Sequence, residues 1–130
     1  MAVLTVRDES MTGRETSSFV IVDLPDTISV RDLIRWRVRE EVARYNAHPD
    51  RMFQGLVQPT DAEAHLNGWR LRAPRTLDWE KQAEVALKAF STNGFVVLIS
   101  DRQVESLDEV VDVAENDAVA FVRLVPLVGG

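Results

Sequence analysis

Two apolar segments near the start of the chain have the pattern of β-strands. Residues 3–7 are short and β-prone, and residues 19–24 form a run rich in β-branched and aromatic side chains. The stretch 11–18 between them contains Gly13 and many hydroxyl side chains, which is typical of a turn. The pattern therefore predicts a β-hairpin that ends before Pro25.

A helical pattern follows the hairpin. Ser29, with Asp32 three residues later, resembles the capping box of a helix start. The apolar residues that follow share the spacing of one helix face: Val30, Leu33, Ile34, Val38, Val42 and Tyr45. Arginines cover much of the remaining surface, Trp36 falls off the apolar stripe, and Pro49 marks the end of the helix.

The chain changes character between residues 47 and 93. Residues 53–57 have the composition of a short strand. Thr60 and Glu63 together suggest a second capping box, followed by one or two helical turns. Residues 69–72 alternate between apolar and basic side chains, which predicts a further strand.

A second clear helix is predicted between Pro74 and Asn93. One face of it carries the apolar residues Trp79, Ala83, Ala86, Leu87 and Phe90. Asn93 and Gly94 are a typical C-terminal stop. Lys81 and Lys88 point away from the apolar face and are expected to be exposed.

The last third of the chain returns to a β pattern. Residues 95–99 form a continuous apolar run, as in a strand that is buried on both faces. Residues 103–105 suggest a short strand after a turn at 101–102, and residues 118–124 suggest the final strand. We expect an irregular or helical turn at 107–113.

The composition narrows the class of protein. The chain has 130 residues, of which 45% are hydrophobic and 28% charged, so one globular domain is expected. The absence of cysteine excludes disulfides, thiolate metal sites and a cysteine nucleophile. The net charge of −6 argues against a nucleic-acid-binding protein. Neither a transmembrane run nor a secretory signal is found, so we expect a cytoplasmic protein.

Several short strings, in this order, resemble ubiquitin and its relatives. Residues 22–28 are similar to the family's turn from its second strand into its helix. Residues 98–104 are similar to the third strand and the tight turn into a short fourth strand. Residues 107–110 and 116–121 resemble the closing turn and the last strand, and the diglycine at the end of the sequence matches the family's ending.

This resemblance implies an α+β fold of the ubiquitin-like β-grasp type, in which a mixed sheet packs on a helix. The likeness covers residues 3–46 and 95–130 of a single domain spanning 1–130. Residues 47–93 are then expected to be an insertion that carries the second helix. Residues 125–130 would be a flexible tail that ends in the diglycine.

The resemblance also implies that Gly130 carries the reactive group. In the family, the terminal carboxylate attacks the α-phosphate of ATP on an activating enzyme and forms an acyl adenylate. Gly129 and Gly130 lack side chains, so such a tail can thread a narrow channel. The tail residues expected to dock on that enzyme are Val125, Pro126, Leu127 and Val128. Because Gly130 stands last in the sequence, no maturing protease is expected.

The predicted function is therefore that of a bacterial ubiquitin-like protein modifier, joined through Gly130 to a target amine by an isopeptide bond. Its expected partners are an activating enzyme, a conjugating enzyme, a deconjugating protease and target proteins. Two alternatives stay open. The apolar tail with Pro126 also resembles that of sulfur carriers such as the small subunit of molybdopterin synthase, which form a C-terminal thiocarboxylate. The chain could instead be a noncovalent, self-assembling adaptor.

Five further residues are candidates for contact with partners. Leu98 lies where the resemblance places the family's main recognition surface, on the outer side of the third strand. Trp36 and Trp69 would mark an interface if they are exposed. Lys81 and Lys88 are the chain's lysines and are therefore the candidate acceptor sites for chains of the protein on itself.

Histidines and carboxylates are the remaining candidates for chemistry. His48 and His65 lie in the insertion, but their spacing fits no common metal-binding motif. No serine lies in a nucleophile-elbow pattern, and no glycine-rich phosphate loop occurs. The sequence therefore predicts no metal, no cofactor and no catalytic activity of its own.

Overall fold

The computed structural model describes residues 2–47, 53, 55–57, 59, 62–65, 68–71, 76–116 and 118–124, with the main chain alone for 62–65, 68 and 70. The helices and strands in these residues are β1 Ala2–Glu9, β2 Glu15–Leu24, β3 Thr27–Ser29, α1 Val30–Ala47, β4 Ala62–His65, β5 Gly68–Leu71, α2 Trp79–Ser91, β6 Phe95–Ile99, β7 Arg102–Gln103, β8 Val110–Asp112 and β9 Ala118–Arg123. The fold is α+β, which confirms the predicted class.

The largest sheet has five strands in the order β2-β1-β9-β6-β7. The pair β1–β9 is parallel, and the other neighbours are antiparallel, so the sheet is mixed. The first and last of the described strands thus lie side by side in the sheet. Such a sheet, together with two helices, is compatible with a β-grasp-like arrangement.

The predicted β1–β2 hairpin is confirmed. Leu4 pairs with Ile21 and Val6 pairs with Phe19, so alternate residues of the two strands share one face of the sheet. Leu4 and Val6 are almost completely buried. Near its end β2 bends at Asp23, whose φ of 62° lies in the left-handed region, at a shift in the pairing register.

Strand β6 is buried on one face rather than both, so that part of the prediction is wrong. Phe95, Val97 and Ile99 are buried, whereas Val96 and Leu98 are half-buried. Phe95 packs its ring against Phe121 of β9 at a centroid distance of 6.0 Å. The apolar core of this part of the chain lies on that face of the sheet.

The predicted irregular or helical turn at residues 107–113 is wrong for residues 110–112. Val110–Asp112 is strand β8, and it pairs antiparallel with β3, a strand that the sequence pattern did not reveal. The first turn of α1 is held beside it, because the Val30 N–H donates to the Glu109 carbonyl at 2.9 Å. Ser29 is the N-cap of α1, since its Oγ accepts a 3.1 Å hydrogen bond from the Asp32 N–H.

The chain divides into two compact units. The first unit contains residues 1–33 and 90–130, and the second unit contains residues 34–89. The boundary therefore falls inside the continuous helix α1 and near the end of α2. The five-stranded sheet and the β3–β8 pair belong to the first unit.

The second unit contains a small hairpin where a helical turn was predicted. Ala62–His65 is strand β4, and it pairs antiparallel with β5, so the helical interpretation of Thr60 and Glu63 is wrong. The predicted strand at 53–57 is reduced, in the described residues, to a bridge between Phe53 and Trp69. Two main-chain hydrogen bonds of 2.7 Å form that bridge.

Helix α2 agrees with its prediction. Its N-cap is Asp78, whose carboxylate accepts a 3.0 Å hydrogen bond from the Glu80 N–H. Ala83 and Ala86 are completely buried along its inner face. The helix ends before Asn93, which has a φ of 62° and fits the left-handed conformation of a C-terminal stop.

Candidate functional site

Leu98 lies on the face of the sheet that is opposite to the core. Its register partners are Gln103 on β7 and Ala120 on β9, and the neighbouring pair on the same face is Val96 with Val122. Residues that are paired directly across neighbouring strands share a face, and successive residues alternate between faces. We call this surface of the five-stranded sheet the outer sheet face.

The outer sheet face continues across β1 and β2. Arg7 pairs with Ala120, and Thr5 pairs with both Ala118 and Val20, so Arg7 and Thr5 divide the surface into two apolar areas. The area on β1 and β2 is open to solvent: Val3 is 53% exposed, Val20 is 49% and Val22 is 55%. The area on β6 and β9 is more enclosed, with Leu98 half-buried and Ala120 buried between Arg7 and Leu98.

Strand β9 carries the chain from the middle of the sheet towards the tail. It is bonded on one side to β1 and on the other to β6, so both of its edges are paired. After the end of β9, the Leu124 N–H donates a 3.2 Å hydrogen bond to the Gly94 carbonyl, so the chain is still attached at its last described residue. The predicted tail residues lie outside the described residues: Val125, Pro126, Leu127, Val128, Gly129 and Gly130.

The two tryptophans predicted at an interface are half-buried and belong to the second unit. Trp36 lies on α1, and Trp69 lies on β5. The Trp69 Nε1–H donates a 3.1 Å hydrogen bond to the Gly55 carbonyl, so the polar end of this indole is satisfied within its own unit. Leu98 belongs to the first unit.

Both lysines are exposed on α2, as predicted. Lys81 and Lys88 are seven residues apart, which is close to two turns of a helix, so they lie on one side of it. Ala83 and Ala86 are buried on the inner side of the same helix. Lys81 and Lys88 thus lie on the exposed side of the helix, and their role as acceptors stays a prediction.

The histidine positions give no geometry for a metal site. His48 lies outside the described residues, and His65 is described only by its main chain in β4. Within the described part of the chain, no group of three or more histidine, cysteine or carboxylate side chains could hold a metal ion. Among the helices that the structure describes, none is long and apolar enough to cross a membrane.

The first unit also contains an open groove of about 530 Å³. It lies between the end of α2, the start of β6 and the segment that follows β7, and its apolar lining includes Phe90, Phe95 and Leu107. At its rim Arg31 forms a 3.2 Å ion pair with Asp108, whose side chain is 84% exposed. The groove contains no arrangement of a nucleophile and a base that would indicate catalysis.

The structure also brings together three residues that the sequence pattern did not connect. The guanidinium carbons of Arg35 and Arg39 lie 5.2 Å and 5.8 Å from the ring centroid of Trp79. Trp79 is half-buried, although its spacing predicted a core position. The four-residue spacing of the arginines places them on one side of α1 and was the available signal, but the position of Trp79 depends on the fold.

The chain matches no protein-family model, no curated protein and no solved structure.

Proposed function

We propose that this chain is a ubiquitin-like modifier with a β-grasp domain, whose Gly130 carboxylate is activated and transferred to an amine of a target protein. The observation that carries the proposal is the path of the chain into the tail. The strand that precedes the diglycine is β9, which lies between the first strand and β6 in a mixed sheet. The sequence places Gly129 and Gly130 six and seven residues after Arg123, the last residue of that strand.

The order of the elements supports the β-grasp assignment. An N-terminal hairpin is followed by α1, then by β6 with the short strand β7, and finally by β9. The parallel pairing of β1 with β9 puts the beginning and the end of the domain at the centre of the sheet. The short antiparallel pair β3–β8 lies next to the first turn of α1. It is an addition to the order of hairpin, helix and later strands.

The proposed reaction needs a free carboxylate on Gly130, either because the chain ends there or because a protease cuts after it. A carboxylate oxygen attacks the α-phosphorus of ATP on the activating enzyme, and pyrophosphate leaves. The amine of the target then attacks the acyl carbon and AMP leaves. When an enzyme cysteine takes the acyl group first, AMP leaves in that transfer and the amine then displaces the cysteine thiolate. This chain has no cysteine, so its part in these steps is that of the acyl donor.

The outer sheet face is the surface proposed to meet the activating enzyme. It is built on paired strands, so its apolar residues are held in fixed positions before a partner binds. The exposed valines and the half-buried Leu98 offer apolar contact area, which is typical of recognition surfaces. Apolar side chains in the tail would add contacts beyond the end of β9.

A sulfur carrier is the second candidate, and the specific feature that favours it is Pro126 in an apolar tail. In that reaction the acyl adenylate accepts a sulfide sulfur and releases AMP. The product is a thiocarboxylate on Gly130, which is heavier than the carboxylate by about 16 Da. Intact-protein mass spectrometry therefore separates this candidate from a modifier.

The test is to express the chain with an N-terminal tag beside its native partner enzymes and to isolate it under denaturing conditions. The variant lacks Gly130, and the matched control is Glu84→Gln, which changes an exposed residue on α2. A modifier gives protein adducts with the parent chain and the control, and none with the shortened chain. A mass increase without protein adducts identifies a sulfur carrier. If adducts also form without Gly130, or if no adduct of either kind forms, the modifier proposal fails.

A further inference from the structure

We infer that Arg35, Trp79 and Arg39 form a binding site for an acidic segment of a partner protein. These three residues, all in the second unit, are named here the arginine–tryptophan cluster. The inference does not depend on the diglycine or on any transfer reaction. It rests on how the two guanidinium groups are held and on what remains available to them.

The guanidinium groups of both arginines contact the indole ring of Trp79. Their guanidinium carbons lie 5.2 Å and 5.8 Å from the centroid of Trp79, within the range of cation–π attraction. A guanidinium that contacts a ring keeps the N–H donors that point away from it, and these donors match the two oxygens of a carboxylate. The ring thus holds the two guanidinium groups in place and leaves N–H donors available for hydrogen bonds.

Among the residues that the structure describes, the two arginines of this cluster differ from other arginines in their ion pairing. Arg31 forms an ion pair with Asp108, and Arg37 forms one with Glu41. In the described part of the chain, neither Arg35 nor Arg39 forms an ion pair with a carboxylate. Two like charges are thus kept close to one ring, and a bound anion would relieve their mutual repulsion.

The cluster is held in place by contacts between α1 and the start of α2. The side-chain amide of Asn46 binds both main-chain groups of Leu77, with distances of 2.8 Å to the N–H and 3.0 Å to the carbonyl. Leu77 is buried, and it precedes Trp79 by two residues. The Asp78 carboxylate accepts the Glu80 N–H at 3.0 Å, which caps the first turn of α2 beside Trp79.

The spacing of the arginines indicates the form of the ligand. Arg35 and Arg39 are one helical turn apart, which corresponds to a rise of about 6 Å. In an extended peptide, side chains two residues apart lie on the same side at a separation of about 6.6 Å. Two carboxylates separated by one residue in an extended segment therefore match the two guanidinium groups.

A protein ligand is favoured over a nucleic acid. The chain has a net charge of −6, whereas binding of a phosphate backbone requires a broad basic surface. Two guanidinium groups on an indole instead form a small site with directional donors. Within a negatively charged chain such a site selects a short acidic segment at close range, since charges beyond a Debye length of about 10 Å are screened.

The probe is an N-acetylated, C-amidated hexapeptide that contains two glutamates separated by one serine. It is titrated into the full chain at low salt, and the indole N–H signals of the three tryptophans are followed by NMR. The Trp79 signal is assigned with Trp79→Phe. The variants Arg35→Gln and Arg39→Gln remove one guanidinium each, and Arg14→Gln removes an exposed charge from the β1–β2 turn as the matched control.

The expected result is a saturable shift of the Trp79 signal that the glutamine version of the peptide does not produce. Each cluster variant should weaken binding about tenfold, and Arg14→Gln should leave it unchanged. Unmoved Trp36 and Trp69 signals show that the variants are folded. Equal weakening by Arg14→Gln, no Trp79 shift with the glutamate peptide, or stronger and salt-sensitive binding of a DNA duplex would each overturn the inference.

Discussion

Arg37 and Glu41 show how a single charged residue can belong to the core. The Arg37 side chain is 0% exposed and the Glu41 side chain is 5% exposed, and a 2.9 Å ion pair joins them across one turn of α1. A second contact of 2.9 Å runs from Arg37 Nε to the same Glu41 oxygen. Removing both charges from water is costly, so such a pair depends on each partner being present.

Replacing one partner of this pair should destabilise the fold strongly. Arg37→Met removes the buried guanidinium that pairs with Glu41 and should lower the free energy of unfolding by about 3–5 kcal/mol. Urea denaturation followed by circular dichroism measures this change. The double variant Arg37→Met with Glu41→Leu should be more stable than either single variant. Equal losses that simply add in the double variant would contradict the coupling.

The position of Arg37 was readable in the sequence, but its residue type concealed it. Position 37 follows Ile34 by three residues and precedes Glu41 by four, which puts it on the apolar stripe of α1. Arginine is rarely buried, so the residue type gives no indication of a core position. Periodicity also predicted a core position for Trp79, which is half-buried. The reason is that periodicity identifies a helix face but not what packs on it.

The sequence predicted the helices and strands whose pattern of apolar and polar residues is local. The β1–β2 hairpin, both helices, β5, β6 and β9 follow from periodicity and from their flanking residues. Strands β3 and β8 were missed because each has three residues and exists through pairing with the other, about 80 residues away. Strand β4 was mistaken for a helical turn because its capping signal was not tied to a long apolar stripe.

The tight turn between β6 and β7 carries local strain that a substitution can remove. Ser100 and Asp101 have φ values of 50° and 64°, a conformation in which both central residues of a hairpin turn favour asparagine or glycine. Ser100 also contacts Asn116 through its hydroxyl, at 2.6 Å, and should be kept. Asp101→Gly should therefore raise the free energy of unfolding by about 1 kcal/mol.

The matched control for this turn is Gly13→Ala. Gly13 has a φ of 84° and no atom within 4 Å of an added Cβ, so a loss there reports backbone strain without steric overlap. We expect that variant to lose about 1 kcal/mol in the same denaturation assay. If Asp101→Gly is instead destabilised, the aspartate side chain stabilises the turn by more than its positive φ costs.

Strand β2 is an edge of the described sheet and should promote association of copies of the chain. Residues 16–22 contain no charge, and Val20 and Val22 are exposed. Uncharged edge strands of this kind pair with other strands unless charges block them. Val20→Lys should lower concentration-dependent light scattering, whereas Val85→Lys, at an equally exposed valine of α2, should not. Equal effects of both lysines would attribute the change to net charge alone.

The sequence did not reveal that the chain divides into two compact units. The boundary falls within α1 at residues 33 and 34, where neither composition nor helical periodicity changes. The interpretation of residues 47–93 as an insertion came from resemblance, and the second unit takes in most of α1 as well. A division of this kind depends on which residues contact one another, and that information is not local.

The proposed function makes a prediction about the outer sheet face that separates recognition from folding. Leu98 is half-buried on this face, and Val85 is 46% exposed on α2, so Leu98→Ser and Val85→Ser both replace a partly exposed apolar side chain by a hydroxyl. If the outer sheet face meets the activating enzyme, Leu98→Ser should lower the yield of Gly130-dependent adducts at least about fivefold, because residues central to an interface commonly contribute more than 1 kcal/mol to binding. Val85→Ser should leave the yield unchanged. Thermal unfolding of both variants tests whether they remain folded, and a loss of adducts that merely follows a loss of stability would remove the outer sheet face from the proposal. Normal adduct formation by a folded Leu98→Ser variant would place the contact with the enzyme elsewhere, while leaving the transfer chemistry of Gly130 to be decided by its own deletion.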